Sequence, residues 1–172
     1  MNFKSCFALC TLLLISACSE PLILNPDAVL PDGSRYSGGI VDGRFSGQGK
    51  LVYSGGGYYQ GGFVDGVFHG NGVLVFASGD RWEGNFTEGQ ATGEFTIISS
   101  DTETRYVGGL QNGYMHGKGE LTTQEYVYKG DFVLGDFEGH GVYTHSNGDA
   151  YTGEFEANLY HGHGSVSYEN GS

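Results

Sequence analysis

The stretch YYQGGFVDGVFHGNGVLVFASG, residues 58–79, decides the fold. Tyr59, Gly61 and Phe63 step by two, the spacing that places side chains on one face of a β-strand. A glycine-rich turn follows and the chain returns in a second strand. The same pattern lies just upstream, where Tyr36, Gly38 and Ile40 make a first strand and residues 43–47 a turn. Gly49, Leu51 and Tyr53 then make a second strand, and residues 55–57 turn the chain again. The period of two excludes helix, and so do the glycines, each of which would cost about 1 kcal/mol in a helix interior.

The unit occurs six times along the chain. The leading aromatics are Tyr36, Tyr59, Trp82, Tyr106, Tyr128 and Tyr151, at spacings of 23, 23, 24, 22 and 23 residues. Two positions after each stands a glycine: Gly38, Gly61, Gly84, Gly108, Gly130 and Gly153. Four positions after stands a large apolar residue: Ile40, Phe63, Phe86, Leu110, Phe132 and Phe155. Eleven positions after, glycine returns without exception, and thirteen after it is glycine everywhere but at Phe95. Regular self-similarity at this period is the mark of a repeat array. The expected fold is therefore all-β, an elongated single-layer antiparallel meander of about twelve strands built from six β-hairpin repeats. At about 4.8 Å per strand it would run roughly 50–60 Å. A single layer has no second layer to bury its apolar face, so the glycines are expected to let neighbouring rings lie flat on backbone in place of a core. The third unit, with Phe95 and a long glycine-free return over residues 99–105, and the fourth, closing on Thr123-Gln124-Glu125, make the middle of the array its least regular place.

These columns resemble the MORN repeat, whose Tyr-x-Gly-x-aromatic, glycine, Gly-x-Gly pattern residues 58–79 meet nearly position for position. The resemblance spans residues 33–172 as one repeat array. It implies a β-hairpin sheet used as a scaffold, a dimerisation surface or a membrane-associated module, commonly attached to a domain with its own activity. No such domain is legible beside the repeats. The resemblance is specific for the repeat and says little about the partner.

Residues 1–17 read as a secretory signal: one positive charge at Lys4, an apolar run from Cys6 to Ile15 broken only by Thr11, then the small residues Ser16 and Ala17. The run spans roughly 15 Å as a helix, against about 30 Å of hydrocarbon. Ile15-Ser16-Ala17-Cys18 resembles the lipobox of bacterial lipoproteins, which implies that Cys18 becomes the first mature residue, acylated on sulfur and amino group. An ordinary signal cut near Ala17 is the alternative, and it would leave an odd cysteine in an exported chain. Ser19 in place of aspartate favours, by the same resemblance and for a Gram-negative source, the outer membrane. Residues 18–32, with Pro21, Pro26 and Pro31, read as lipidated terminus and tether.

The chain of 172 residues carries 32 glycines and a formal charge of −12, which becomes −13 once Lys4 leaves with the signal, because all 20 acids follow Cys18. Such acidity excludes a nucleic-acid partner, which needs a basic stripe. It also weighs against docking on anionic lipid by charge. His69, His116 and His161 share one column, where a turn-stabilising hydrogen bond is expected. His161, His163 and His140 could approach one another, but no carboxylate or cysteine completes a ligand frame, and no metal or cofactor is expected. The acids of the last two units, among them Asp131, Asp136, Glu138, Asp149, Glu154 and Glu156, read as a solvated face. No catalytic residue is assigned.

The expected function is a non-enzymatic, lipid-anchored envelope protein that binds a protein partner or a second copy, held to the membrane through acyl chains on Cys18. The alternative is a carbohydrate- or peptidoglycan-binding module stacking sugars on its aromatic rows. Residues 164–168 read as an exposed edge strand. Cys18→Ala is expected to release the protein from the membrane fraction and abolish fatty-acid labelling; retention on the membrane would transfer that role to the repeats.

Overall fold

The computed structural model describes residues 28–171. The signal segment, Cys18 and the tether as far as residue 27 lie outside the described residues. What is described is one antiparallel sheet of thirteen strands in sequence order, without helix. The strands are β1 (Ala28–Val29), β2 (Arg35–Val41), β3 (Arg44–Val52), β4 (Tyr58–Val64), β5 (Val67–Val75), β6 (Arg81–Thr87) and β7 (Gln90–Ile98). They continue as β8 (Arg105–Gln111), β9 (Tyr114–Thr122), β10 (Tyr126–Val133), β11 (Asp136–His145), β12 (Ala150–Glu156) and β13 (Leu159–Ser167). The six hairpins expected from the sequence are β2–β3 through β12–β13. The thirteenth strand is β1, where Ala28 and Val29 pair with Tyr36 and Arg35, so the end of the segment read as tether belongs to the sheet.

Each hairpin reverses in two residues earlier in the chain than the glycine spacing suggests. In the second unit the turn is Asp65 (φ 51) and Gly66 (φ 86), and Asp42-Gly43 and Asn112-Gly113 repeat it. Positive φ at both central residues is the type I′ geometry whose twist matches the flanking strands. The glycine four residues on, expected in the turn, instead forms a bulge. Gly38 pairs with Gly49 but Gly39 pairs with Ser46, leaving Gly47 and Gln48 as extra residues on β3.

Glycine therefore stands in its columns for two different reasons. At the bulge the demand is conformational: Gly47, Gly70, Gly93 and Gly117 have φ of 70, 69, 81 and 73, and a Cβ there would meet nothing within 4 Å. In the other columns the demand is contact. Gly38, Gly49, Gly61, Gly72, Gly84, Phe95, Gly108, Gly119, Gly130, Gly141, Gly153 and Gly164 oppose one another in turn, a line across β2 to β13 interrupted once, by Phe95. The tyrosine rings lie on this line. A Cβ on Gly141 would sit 2.6 Å from Cε2 of Tyr128, and one on Gly61 2.6 Å from Cα of Gly72.

Gly130→Val is expected to lift the Tyr128 ring and destabilise the array by at least about 1–3 kcal/mol, the usual cost of overpacking. Thr152→Val, on an exposed site, should change the melting temperature little. The two glycine classes separate with asparagine, which tolerates positive φ: Gly117→Asn should be mild and Gly130→Asn severe.

Candidate binding surface

The aromatic face is an interlocked row of rings. Tyr36 stacks on Phe45, Tyr59 on Phe68, Tyr128 on Phe137 and Tyr151 on Tyr160, with ring centroids 3.7, 3.7, 3.8 and 3.9 Å apart. The apolar residue of each following unit then wedges edge-on against that pair. Phe63 meets Tyr36 at 5.2 Å, Phe86 meets Tyr59 at 5.2 Å, and Phe155 meets Tyr128 at 5.1 Å. Stacked and T-shaped pairs of this kind contribute about 0.5–1.5 kcal/mol each beyond area burial. Tyr59 and Tyr128 are fully buried as a result. The stacking partners, nine residues after each leading aromatic, form a column that the glycine and tyrosine pattern did not bring out: Phe45, Phe68, Ala91, Met115, Phe137 and Tyr160. Its chemistry varies, but five of the six are large and apolar, which is the signal that could have found it.

The wedge explains an exception. Ile40 occupies the same column as Phe63 and Phe132 but is 51% exposed, because among the described residues no ring pair precedes it. At the other end β13 pairs, among the described residues, with β12 alone, and all nine of its residues are exposed.

The phenols lock onto the bulges. Tyr36 Oη donates to the Gly39 carbonyl at 2.9 Å, Tyr59 to Gly62 at 3.0 Å, Tyr106 to Gly109 at 2.7 Å, Tyr128 to Asp131 at 3.0 Å and Tyr151 to Glu154 at 3.1 Å. Tyr151 Oη also reaches the main-chain carbonyl of His161 at 3.3 Å. In the last unit a hydrogen bond at the histidine column is thus accepted by the main-chain carbonyl of His161, beside the bulge. His116 Nδ1 is buried without a partner, and His161 Nδ1 pairs with Glu156 at 3.1 Å. Gly162, between His161 and His163, is a bulge residue with φ 54, so these two histidines are not the regular pair of one strand face that H-x-H suggests. No group of three or more His, Cys, Asp or Glu able to hold a metal ion occurs among the described residues.

The third hairpin departs from the rest. A Cβ on Gly84 would meet the Phe95 ring at 2.6 Å, so Phe95 occupies the seat over glycine that tyrosine fills elsewhere. Phe95 is buried and meets Phe86 edge-on at 5.2 Å, as Tyr59 does. Trp82, displaced, is half-buried and leans against Phe76 at 5.5 Å. The repeat-defining residues Tyr36, Tyr59, Tyr106, Tyr128 and Tyr151 and the glycines Gly38, Gly61, Gly108, Gly130 and Gly153 thus share one architecture. Trp82 and Gly84 form a variant of it.

The family model described as MORN repeat matches residues 36–58, 59–81, 106–124, 128–150 and 151–172. It finds five repeats where the sequence columns and the hairpins number six; the unmatched unit is the one led by Trp82. No curated protein matches the chain.

Burial pushes the phenols of Tyr59, Tyr106 and Tyr128 up to about 12, with nearby charge adding to the shift. The folded protein therefore keeps protons between pH 10 and 12 that the unfolded chain loses, so stability falls as pH rises through that window. Phenolate absorbance is expected to lag in the native protein above pH 10 and then rise together with loss of sheet signal. Gradual ionisation of all tyrosines near pH 10 with the sheet intact would contradict the burial.

Proposed function

Because the chain belongs to the MORN repeat family, we propose that it is a non-enzymatic binding scaffold, tethered at the cell envelope by acyl chains on Cys18, which engages a protein partner or a second copy through its carboxy-terminal hairpin. For a Gram-negative source the outer membrane is the compartment that Ser19 favours. The observation that carries the interaction half is β13. Among the described residues nothing pairs with the outer edge of this strand, which also bears exposed Leu159, Tyr160 and Val166, with exposed Tyr168 just beyond it. Natural sheets usually blunt such edges with bulges, charge or a covering segment; β13 carries one bulge, at Gly162, and runs regularly beside β12 from Gly164 to Ser167. An edge left open supports strand addition, in which main-chain bonds supply affinity and alternate side chains supply specificity. The amino-terminal edge differs, since β1 covers Arg35 and Tyr36 of β2.

The carbohydrate alternative relied on open rows of tyrosine and phenylalanine. Tyr36 and Tyr59 are buried against Phe45, Phe63 and Phe68, and Tyr128 against Phe137 and Phe155, so their faces are not free to take a sugar ring. What remains for that purpose is a few scattered exposed rings such as Tyr114 and Tyr160.

Val166→Pro removes a backbone donor from β13 and is expected to weaken self-association or partner capture, measured by analytical ultracentrifugation and by co-purification from the native envelope. The first four hairpins should keep their melting behaviour. A wild-type protein that stays monomeric, with a proline variant that captures its partner undiminished, would remove β13 from the interface.

A further inference from the structure

Hairpin β6–β7 lacks the stacking ring that four other hairpins carry, and unlike β8–β9, which holds Met115 at that place, it has no large side chain there. At the place of Phe45, Phe68, Phe137 and Tyr160 it carries Ala91, which pairs directly with Phe86 across the hairpin. The missing ring leaves a groove of about 370 Å³ on the aromatic face, lined by Phe68, Trp82, Phe86 and Ala91, with Gln90 and Asn112 beside them. That volume falls within the range of sites that accept small ligands or side chains. The groove is apolar at its floor, where Phe86 and Ala91 are buried, and opens past half-buried Trp82.

The array itself displays what fits this place, because four other hairpins fill it with a ring stacked at 3.7–3.9 Å on an aromatic neighbour. Charge then narrows the occupant. Glu88 lies in the turn next to Gly89, a residue of the groove lining; it is exposed and has no ion-pair partner among the described residues. Arg81, the cation at the start of β6, is engaged with Glu83. The chain as a whole carries −12. The exposed carboxamides of Gln90 and Asn112 have no partner among the described residues either, and they stand ready to meet a phenol or a peptide group.

We propose that this groove binds an aromatic side chain on an extended, basic segment of a partner protein, which takes the place of the ring that hairpin β6–β7 lacks. Trp82 forms the wall and Glu88 selects a Lys or Arg beside the aromatic residue. Tryptophan is among the residues most enriched at the energetic hot spots of interfaces. The proposal rests on the binding-scaffold reading for its partner, but not on β13.

Trp82 is the one tryptophan of the chain, so its fluorescence, excited beyond tyrosine absorption, reads the groove alone. The full mature chain is titrated with a capped Gly-Lys-Tyr-Gly peptide, with capped Gly-Lys-Ala-Gly as control. A saturable change is expected with the first peptide and none with the second. Ala91→Phe, which supplies the missing ring, should abolish it; should that variant lose its sheet signal by circular dichroism, Ala91→Leu, which partly fills the groove, decides instead. Glu88→Gln should weaken binding by about two- to fivefold, as a surface ion pair warrants. Absence of a saturable change, or a filled-groove variant titrating like the parent, overturns the proposal; an unaltered Glu88→Gln variant overturns its basic half. Because the readout is confined to Trp82, a Val166→Pro variant that loses association yet titrates normally separates failure of the edge from failure of the groove.

Discussion

A tyrosine ring lying flat on two opposed glycines is the contact from which the rest of the array follows. A single antiparallel layer has two exposed faces and cannot bury a core between layers. Here the layer thickens on one face only. Because Gly130 and Gly141 present backbone in place of side chains, the ring of Tyr128 drops onto the sheet and its hydroxyl reaches the Asp131 carbonyl beside the bulge. Phe137 then stacks above it and Phe155 closes it from the next hairpin. One small residue type thus permits burial, hydrogen bonding and the link between neighbouring units at once.

That link passes only from each hairpin to the next, which makes the protein quasi-one-dimensional. Its local departures consequently stay local. In the third hairpin Phe95 occupies the ring seat over Gly84 from the opposite strand, and the sheet continues through it in unbroken order from β6 to β8. The cost falls on Trp82 and Ala91, which leave a groove where a stacked pair would be. The same logic exposes Ile40, a wedge residue with no preceding ring pair among the described residues. Function is most economically placed where the stack is incomplete, at the third hairpin and along β13, since the completed stretches have already used their apolar surface on themselves.

Much of this was legible from residue columns. Strict recurrence of Tyr, Gly and a large apolar residue at steps of two fixed the strands, the antiparallel meander and the face on which the rings gather. Three things were not legible. The glycine eleven positions after each aromatic looked like turn chemistry, yet at Gly70 it serves a bulge, because composition alone does not separate a positive φ at a hairpin tip from one inside a strand. The stacking column from Phe45 to Tyr160 was hidden by its mixed chemistry, since Phe, Ala, Met and Tyr share a site without sharing a residue type. Phe95 stood out as a missing glycine, but its role as a substitute ring depends on a cross-strand neighbour that the sequence leaves unaligned.

Nuclear magnetic resonance of the glycine Hα protons tests whether tyrosine rings lie flat on the glycine line and hold the hairpins together. Ring currents shift a proton held over an aromatic face strongly upfield. Gly49, Gly72, Gly119, Gly141 and Gly164, each beneath a tyrosine ring, should show this displacement, whereas bulge glycines such as Gly70 and Gly117, with nothing nearby, should not. Tyr59→Leu should return Gly72 to ordinary strand values and leave Gly141 where it was. Ordinary Hα shifts along the whole glycine line in the folded protein would contradict ring-on-glycine packing.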